Sequence, residues 1–378
     1  MPELLERAQA RAGPGAVPGT GPAPEGLDNL QRLLDSCRET AGLTPAGTAV
    51  LEKVAVRHLV NGLRLAAAAV PGGVPDVAVV VTGLPRTGTT LVQQLLALDP
   101  AWRVLRLWEA LSPVPAAGEG RSRPARIAAA ETWVARYLEM APEMRAIHSP
   151  SAEGPEECDA LMQNHFASQH LDDMFDARRY SAWLYSADLS AEYGGHARQL
   201  RALEAGGPGE VRPWVLKSPS HLAHLGALLR TYPAAVVVQC HRAPVEAVAS
   251  WASLVRAVRR PHTGTVVPAA VGEQCLERSA RATERALAAR EEAGEERFVD
   301  LAYRSLVADP LAAVRSVYDR TGRALPAGVE ARMAAWVTGN PQHKHGRHHY
   351  RPADFGLAEE GVDRALGPYR RRFAPYLR

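Results

Sequence analysis

One stretch constrains the fold more than any other. Val77–Thr82 (VAVVVT) is a short, β-branched apolar run, GLPRTG follows at 83–88, and Thr89–Leu98 (TTLVQQLLAL) has helical spacing until Asp99-Pro100 stops it. An unbroken apolar run of this length suits a parallel strand buried on both faces. A glycine-bounded turn that leads directly into a helix leaves the helix's first N–H groups facing whatever the turn encloses. Glycines let neighbouring backbone N–H groups point inward, and Thr87, Thr89 and Thr90 add hydroxyls. Strand, loop and helix together predict a phosphate-binding loop at the carboxyl end of a strand.

Gly83 and Gly88 have the spacing of a Walker loop, but Thr89 stands where that loop places its lysine. That lysine reaches the β and γ phosphates of ATP or GTP. The later apolar run AAVVVQC (234–240) leads into His241-Arg242, where an NTPase would offer a carboxylate for Mg²⁺. Arg86 sits in mid-loop instead. The pattern predicts a nucleotide-phosphate site without a magnesium-bound triphosphate, and no metal is expected. Three alternatives stand beside it: a glycine-rich turn before a core helix, a P-loop kinase, and a nucleotide-binding protein without turnover.

The rest of the chain sets this unit in context. Residues 1–26 are rich in Pro, Gly and Ala and read as a flexible leader. Residues 27–76 read as an N-terminal helical segment, with Thr44-Pro45 as a helix start. Residues 77–378 read as one α/β domain. WVLK (214–217), AAVVVQC (234–240) and RFVDL (297–301) are strand-like and alternate with helical patterns, while 108–210 is mixed and mostly helical. The predicted class is α/β: a P-loop-type parallel β-sheet flanked by helices, with a largely helical N-terminal region and helical insertions. A net charge of +3 over 378 residues is far too weak to argue for nucleic acid as the main partner, and none is expected. The four cysteines show no CxxC pairing, and no run approaches the roughly 18 apolar residues of a membrane span. The N-terminus lacks a signal-type apolar region, so the cytoplasm is the expected location. The expected partner is a small molecule, with a homo-oligomer left open. Of 44 basic residues only Lys53, Lys217 and Lys344 are lysines, which marks them as places where a compact ammonium is needed.

The motifs resemble those of a known family. VVVTGLPRTGTTLVQQLLALDP is similar to the 5′-phosphosulfate loop of sulfotransferases, with Pro85-Arg86-Thr87-Gly88-Thr89-Thr90 in the place of PKSGTT or PRSGTT. VVVQCHRAPVEAVAS resembles the family's second motif, in which Arg242 and Ser250 would hold a 3′-phosphate. Tyr303, ahead of Asp309-Pro310, resembles the family's adenine-contacting tyrosine. WEALSP (108–113), GPEEC (154–158), LKSPSHL (216–222), KHGRHHY (344–350) and DFGL (354–357) look like a bacterial branch. Two features depart from the animal enzymes. Leu91 replaces an adenine-stacking Trp, and the RKGxxGxW segment is represented by Lys344-His345-Gly346-Arg347.

The resemblance implies sulfuryl transfer from 3′-phosphoadenosine-5′-phosphosulfate (PAPS) to a hydroxyl, or secondarily an amine, with adenosine 3′,5′-bisphosphate as product. It implies that Arg86 and the loop amides meet charge on the leaving oxygen, and that Lys217 assists. Pro85, Thr87, Gly88, Thr89, Thr90, Arg242, Ser250, Tyr303, Lys344, Gly346 and Arg347 are then the donor-binding residues. For the general base Glu109 ranks first, about ten residues past the loop helix; it also reads as a first-turn helix carboxylate. His221 is second, with a buried structural histidine as its other reading. His148, Glu156 and Glu157 follow, although GPEEC reads first as a helix start with carboxylates in its first turn. His343, His345, His348 and His349 read as part of a closing loop, since nearby Lys344, Arg347 and Arg351 would repel a metal. The acceptor pocket is expected from 108–210 and 256–270, with Trp108, Trp133, Trp183, Phe166, Phe175 and Tyr185 as aromatic candidates. The scheme requires that the Arg86 loop and the Arg242–Ser250 motif meet closely enough for one small ligand to span them.

Overall fold

A computed structural model describes residues 1–13, 23–115, 122–142, 144–147, 150–206, 211–341 and 350–377. Five strands form one all-parallel sheet: β1 (Val77–Gly83), β2 (Arg103–Val104), β3 (Trp214–Lys217), β4 (Val236–His241) and β5 (Phe298–Ala302). Their order is β2-β3-β1-β4-β5, which puts β1 at the centre. Side chains alternate between two cores: Val77 and Val80 of β1 pack on one face, Val79 and Val81 on the other. β3 and β4 alternate in the same way. This is why the strands read as unbroken apolar runs, since both faces need apolar cover. β2 has two residues and carries no strand signal of its own.

Helices cover both faces. α1 (Pro2–Ala12), α2 (Pro24–Thr40) and α3 (Pro45–Ala67) share the larger core with the helices Pro244–Arg259 and Pro268–Ala293. α4 (Thr89–Leu96) packs on the opposite face with Pro310–Arg320 and Ala327–Gly339. Two short segments complete the frame used below, α5 (Leu107–Leu111) and α6 (Arg123–Met140). Thr44 caps α3 by accepting from Gly47 N at 3.0 Å, as its position before Pro45 predicts.

The expected flexible leader is corrected at its start. α1 buries Leu4, Ala8 and Ala12, four residues apart and hence on one helical face. Arg7 pairs with Glu52 of α3 at 2.8 Å, and Arg64 of α3 donates to the carbonyl of Ala12 at 3.2 Å. Two alanines carry too little hydrophobic signal to show this face beside the Pro- and Gly-rich residues that follow. Residues 14–22 of the expected leader lie outside the described residues.

Register brings distant residues to one edge of the sheet. Val81 of β1 pairs with Lys217 of β3, and Gly83 pairs with Cys240 of β4. The chain therefore leaves β1, β3 and β4 side by side, at the carboxyl edge where ligands bind in open α/β sheets.

Candidate functional site

The loop after β1 is held tightly. Gly83 has φ 148°, and a Cβ there would lie 2.4 Å from the carbonyl oxygen of Cys240. Gly88 has φ 97° and forms the N-cap of α4; a Cβ there would meet Leu306 Cδ2 at 2.7 Å. Between them Arg86 has φ 70°, a left-handed conformation uncommon outside glycine. Thr87 is fully buried and donates to Leu84 O at 2.7 Å, so its hydroxyl braces the loop.

Cationic groups converge on this loop. Arg86 Nε lies 3.4 Å from Ser250 Oγ. Arg242 donates from a terminal nitrogen to the Arg86 carbonyl at 3.2 Å, and its guanidinium carbon sits 4.5 Å above the Tyr303 ring. Glu246, one helical turn on, accepts from Arg242 Nε at 3.0 Å. Burial and the nearby Arg242 charge lower the proton affinity of Arg86. Lys217, buried at the end of β3, donates to Thr90 Oγ1 at 3.1 Å and pairs with Glu157.

These groups open into a cleft of about 650 Å³. Pro85, Arg86, Gly88, Thr89, Thr90 and Arg242 line one part of it, together with Tyr303. Trp133, Tyr137, Met144, Leu254 and Val258 supply an apolar wall. Glu156 and Glu157 both reach the cleft. Burial, with a contribution from the Glu157 charge, holds the Glu156 carboxyl up at about 7, even though the Glu157 amide donates to it at 2.8 Å. Two further cleft carboxylates are committed elsewhere. Asp159 accepts from Ser168 Oγ at 2.6 Å and from Gln169 N at 3.0 Å. Asp173 accepts from Arg278 at 3.1 Å and from Trp251 Nε1 at 3.2 Å.

The two leading base candidates do not line this cleft. Glu109 is buried and turned back onto its own helix end. It accepts from Arg106 N at 3.0 Å and from Arg103 at 3.2 Å, closing a capping box at the start of α5. His221 is fully buried, with Nδ1 2.7 Å from the Tyr193 hydroxyl, and burial drives its proton affinity well down. Of the aromatic candidates Trp133 lines the cleft, whereas Phe166, Phe175 and Tyr185 are core residues. Trp108 packs under Arg126, and Trp183 packs against Tyr180. His148, Lys344, Gly346, Arg347 and the histidines at 343, 345, 348 and 349 lie outside the described residues. Among the described residues no three potential ligands gather to hold a metal. Sequence reasoning missed Arg57, His58 and His170, all of which line the cleft. No motif marks them, because Arg57 and His58 sit in an ordinary helix and meet the cleft only through tertiary packing.

A family model described as the sulfotransferase family matches residues 78–327, from the second residue of β1 to the helix Ala327–Gly339. The chain belongs to the sulfotransferase family. It is an enzyme of the transferase class, and the matched span includes Arg86, Lys217, Arg242, Ser250 and Tyr303. This sulfotransferase is similar to sulfotransferase STF1 from Mycobacterium tuberculosis H37Rv, with 29% identity and a TM-score of 0.81 over 97% of this chain and 98% of that one. It is also similar to sulfotransferase STF9 from Mycobacterium avium, with 28% identity and a TM-score of 0.84 over 98% and 96% of the two chains. No curated protein matches it. No helix among the described residues of the sulfotransferase is long and apolar enough to cross a membrane.

Proposed function

We propose that this sulfotransferase moves a sulfuryl group from PAPS to the hydroxyl, or secondarily the amine, of a small-molecule acceptor. The observation that carries the reading is the meeting of Arg86 with Ser250 at 3.4 Å and of Arg242 with the Arg86 carbonyl at 3.2 Å. Two phosphate-suited groups thereby face one space, and a single adenosine carrier can engage both. The loop fits such a ligand chemically. Gly88 lets the loop pack against Leu306 and Tyr303 where a Cβ would clash, and Gly88, Thr89 and Thr90 bring the N-terminal end of α4, which favours anions, to the cleft. The donor supplies an activated sulfuryl group whose S–O bond to the 5′-phosphate breaks as the bond to the acceptor oxygen forms.

The chain's own groups position and neutralise. Arg86 and the loop amides meet charge on the departing phosphate oxygen, a role in which loss of one donor typically costs 10²–10³-fold in rate. Arg242 and Ser250 hold the 3′-phosphate, and Tyr303, already stacked under Arg242, offers its ring to the adenine. Lys217, bonded to Thr90 and Glu157, adds a cation beside the loop. Glu156 takes the acceptor's proton, because a group poised near 7 is both available as a base and strong enough to act. Glu157 anchors Lys217 beside the loop, and that contact also makes it the second candidate for the base.

Thermal-shift titration separates this reading from its rivals. Adenosine 3′,5′-bisphosphate is expected to stabilise the protein more than ATP with Mg²⁺. Equal stabilisation, or stabilisation by ATP alone, would favour a kinase-type site, against which Thr89 already counts. Transfer of labelled sulfate from PAPS, lost in Arg86→Ala, distinguishes an enzyme from a protein that only binds nucleotide.

A further inference from the structure

The cleft contains a cation that no carboxylate among the described residues neutralises. Arg57, on α3, lines the cleft, and its Nε is buried without a hydrogen-bond partner. Its polar contact is with the ring of its neighbour His58, at 3.1 Å from a terminal nitrogen to Nε2. Among the described residues no carboxylate pairs with it, although buried arginines elsewhere in this chain do have acidic partners. Arg278 bridges Asp172 and Asp173, and Arg290 holds Asp300. Burial alone lowers the proton affinity of Arg57 to about 10, with no nearby charge to raise it.

The contact with His58 fixes the guanidinium without offsetting its charge. His58 Nδ1 lies 2.8 Å from Asn164 Oδ1, so Nδ1 carries the proton and Nε2 is left to accept from Arg57. Burial and the adjacent Arg57 charge keep the ring neutral. Asn164 in turn donates to Gln199 at 2.7 Å, and Gln199 donates to Leu161 O at 3.1 Å. A buried chain of amides thus orients a desolvated cation toward the cleft. Such a cation is costly when unpaired, and that cost is relieved by an anion whose geometry suits the guanidinium fork. None of these bonds involves Arg86, Arg242, Ser250 or Tyr303. The same cleft has an apolar wall: the Trp133 and Tyr137 rings stack 5.2 Å apart at 7°, and Tyr137 packs on a cluster containing Met144, Leu254 and Val258.

We propose that Arg57 is a specificity residue that pairs with an oxyanion on the acceptor, so that the substrate class is hydroxyl compounds with an apolar body and a carboxylate or phosphate-type group. The proposal rests on the sulfotransferase reading of the same cleft. The terminal nitrogen of Arg57 that His58 does not engage is the group that meets the anion, and Trp133 and Tyr137 cover the body between the anion and the reacting hydroxyl.

Binding measured on enzyme saturated with adenosine 3′,5′-bisphosphate tests this without turnover. The probes are 3-(4-hydroxyphenyl)propanoate, 2-(4-hydroxyphenyl)ethyl phosphate and the neutral 3-(4-hydroxyphenyl)propanamide. The expected result is roughly ten-fold or greater preference for at least one anionic probe over the amide, and the two anionic arms tell a carboxylate from a phosphate site. Arg57→Met should abolish the preference, and Arg57→Lys should keep part of it. The inference is overturned by equal binding of all three probes, by binding of none, or by a preference that survives Arg57→Met. It is also overturned if Arg57→Met loses adenosine 3′,5′-bisphosphate, which would put Arg57 in the donor site. Failure of the wild-type protein to bind adenosine 3′,5′-bisphosphate would instead overturn the functional reading beneath it.

Discussion

Arg86 and Ser250, 164 residues apart in sequence, lie 3.4 Å from each other, Nε to Oγ. The contact joins the loop after β1 to the helix after β4, two segments that adjacent strands deliver to one edge of the sheet. A ligand held at both points is gripped from two directions, and its affinity depends on both.

Selectivity for a 3′-phosphate should therefore reside in Arg242 and Ser250. Arg242→Ala removes a charged partner worth about 1.5–3 kcal/mol. It should weaken adenosine 3′,5′-bisphosphate by roughly 10–100-fold while leaving adenosine 5′-phosphate much less affected. Calorimetric titration of both nucleotides checks this, and an equal loss for both would argue against a 3′-phosphate contact.

With Glu156 as the proposed base, its carboxyl should set the pH dependence. A carboxyl at about 7 acts as a base only once deprotonated, so kcat/KM should rise with pH and level off above about 7. Glu156→Gln should lower kcat by about 10²-fold or more, retain donor binding and flatten that limb. A larger loss of kcat in Glu157→Gln, with the limb intact in Glu156→Gln, would transfer the role to Glu157. Stability carries the same signature. The folded-state pKa lies above the unfolded one, so the relative stability of wild type is full below the unfolded value and falls as pH rises toward about 7. The Tm of Glu156→Gln relative to wild type should accordingly increase over that interval.

Glu109 should behave as a structural residue. Its ion pair with Arg103 is largely buried, and removing one partner of such a pair costs about 3 kcal/mol or more. Glu109→Ala should lower Tm markedly, while the protein that remains folded turns over at a rate within a few-fold of wild type. A folded Glu109→Gln without turnover would restore it as the base.

Gly88→Ala tests the loop itself. The added methyl would strain a left-handed residue and press on Leu306. Donor affinity should drop by roughly ten-fold or more, consistent with a strain of 1–3 kcal/mol, with little change in far-ultraviolet circular dichroism.

The parts of the molecule legible in the sequence are those whose signal is local. VAVVVT-GLPRTG-TT fixes strand, loop and helix within a few residues, and Arg242 and Ser250 occur eight apart on one strand–helix unit. The surroundings of the base candidates are not legible. A carboxylate that caps a helix and one that faces a cleft have the same surroundings in sequence, and only the capping box of α5 shows that Glu109 turns inward. His221 is ambiguous for a related reason: position near a strand end does not separate a site histidine from the buried structural one that the sequence also allows, and the turn buries it completely. β2 gains its partner from a strand more than a hundred residues later. Arg57 faces the cleft because α3 packs near Asn164 and Leu111, which no periodicity reports.

The sheet order has an evolutionary corollary. Arg86, Lys217 and Arg242 issue from three neighbouring strands, so their spacing is locked by main-chain ladders around β1. The remaining walls come from side chains on separate helices, among them Arg57 on α3 and Trp133 on α6. Single substitutions on those helices can reshape the walls one residue at a time while the strand ladders keep the spacing of Arg86, Lys217 and Arg242 unchanged.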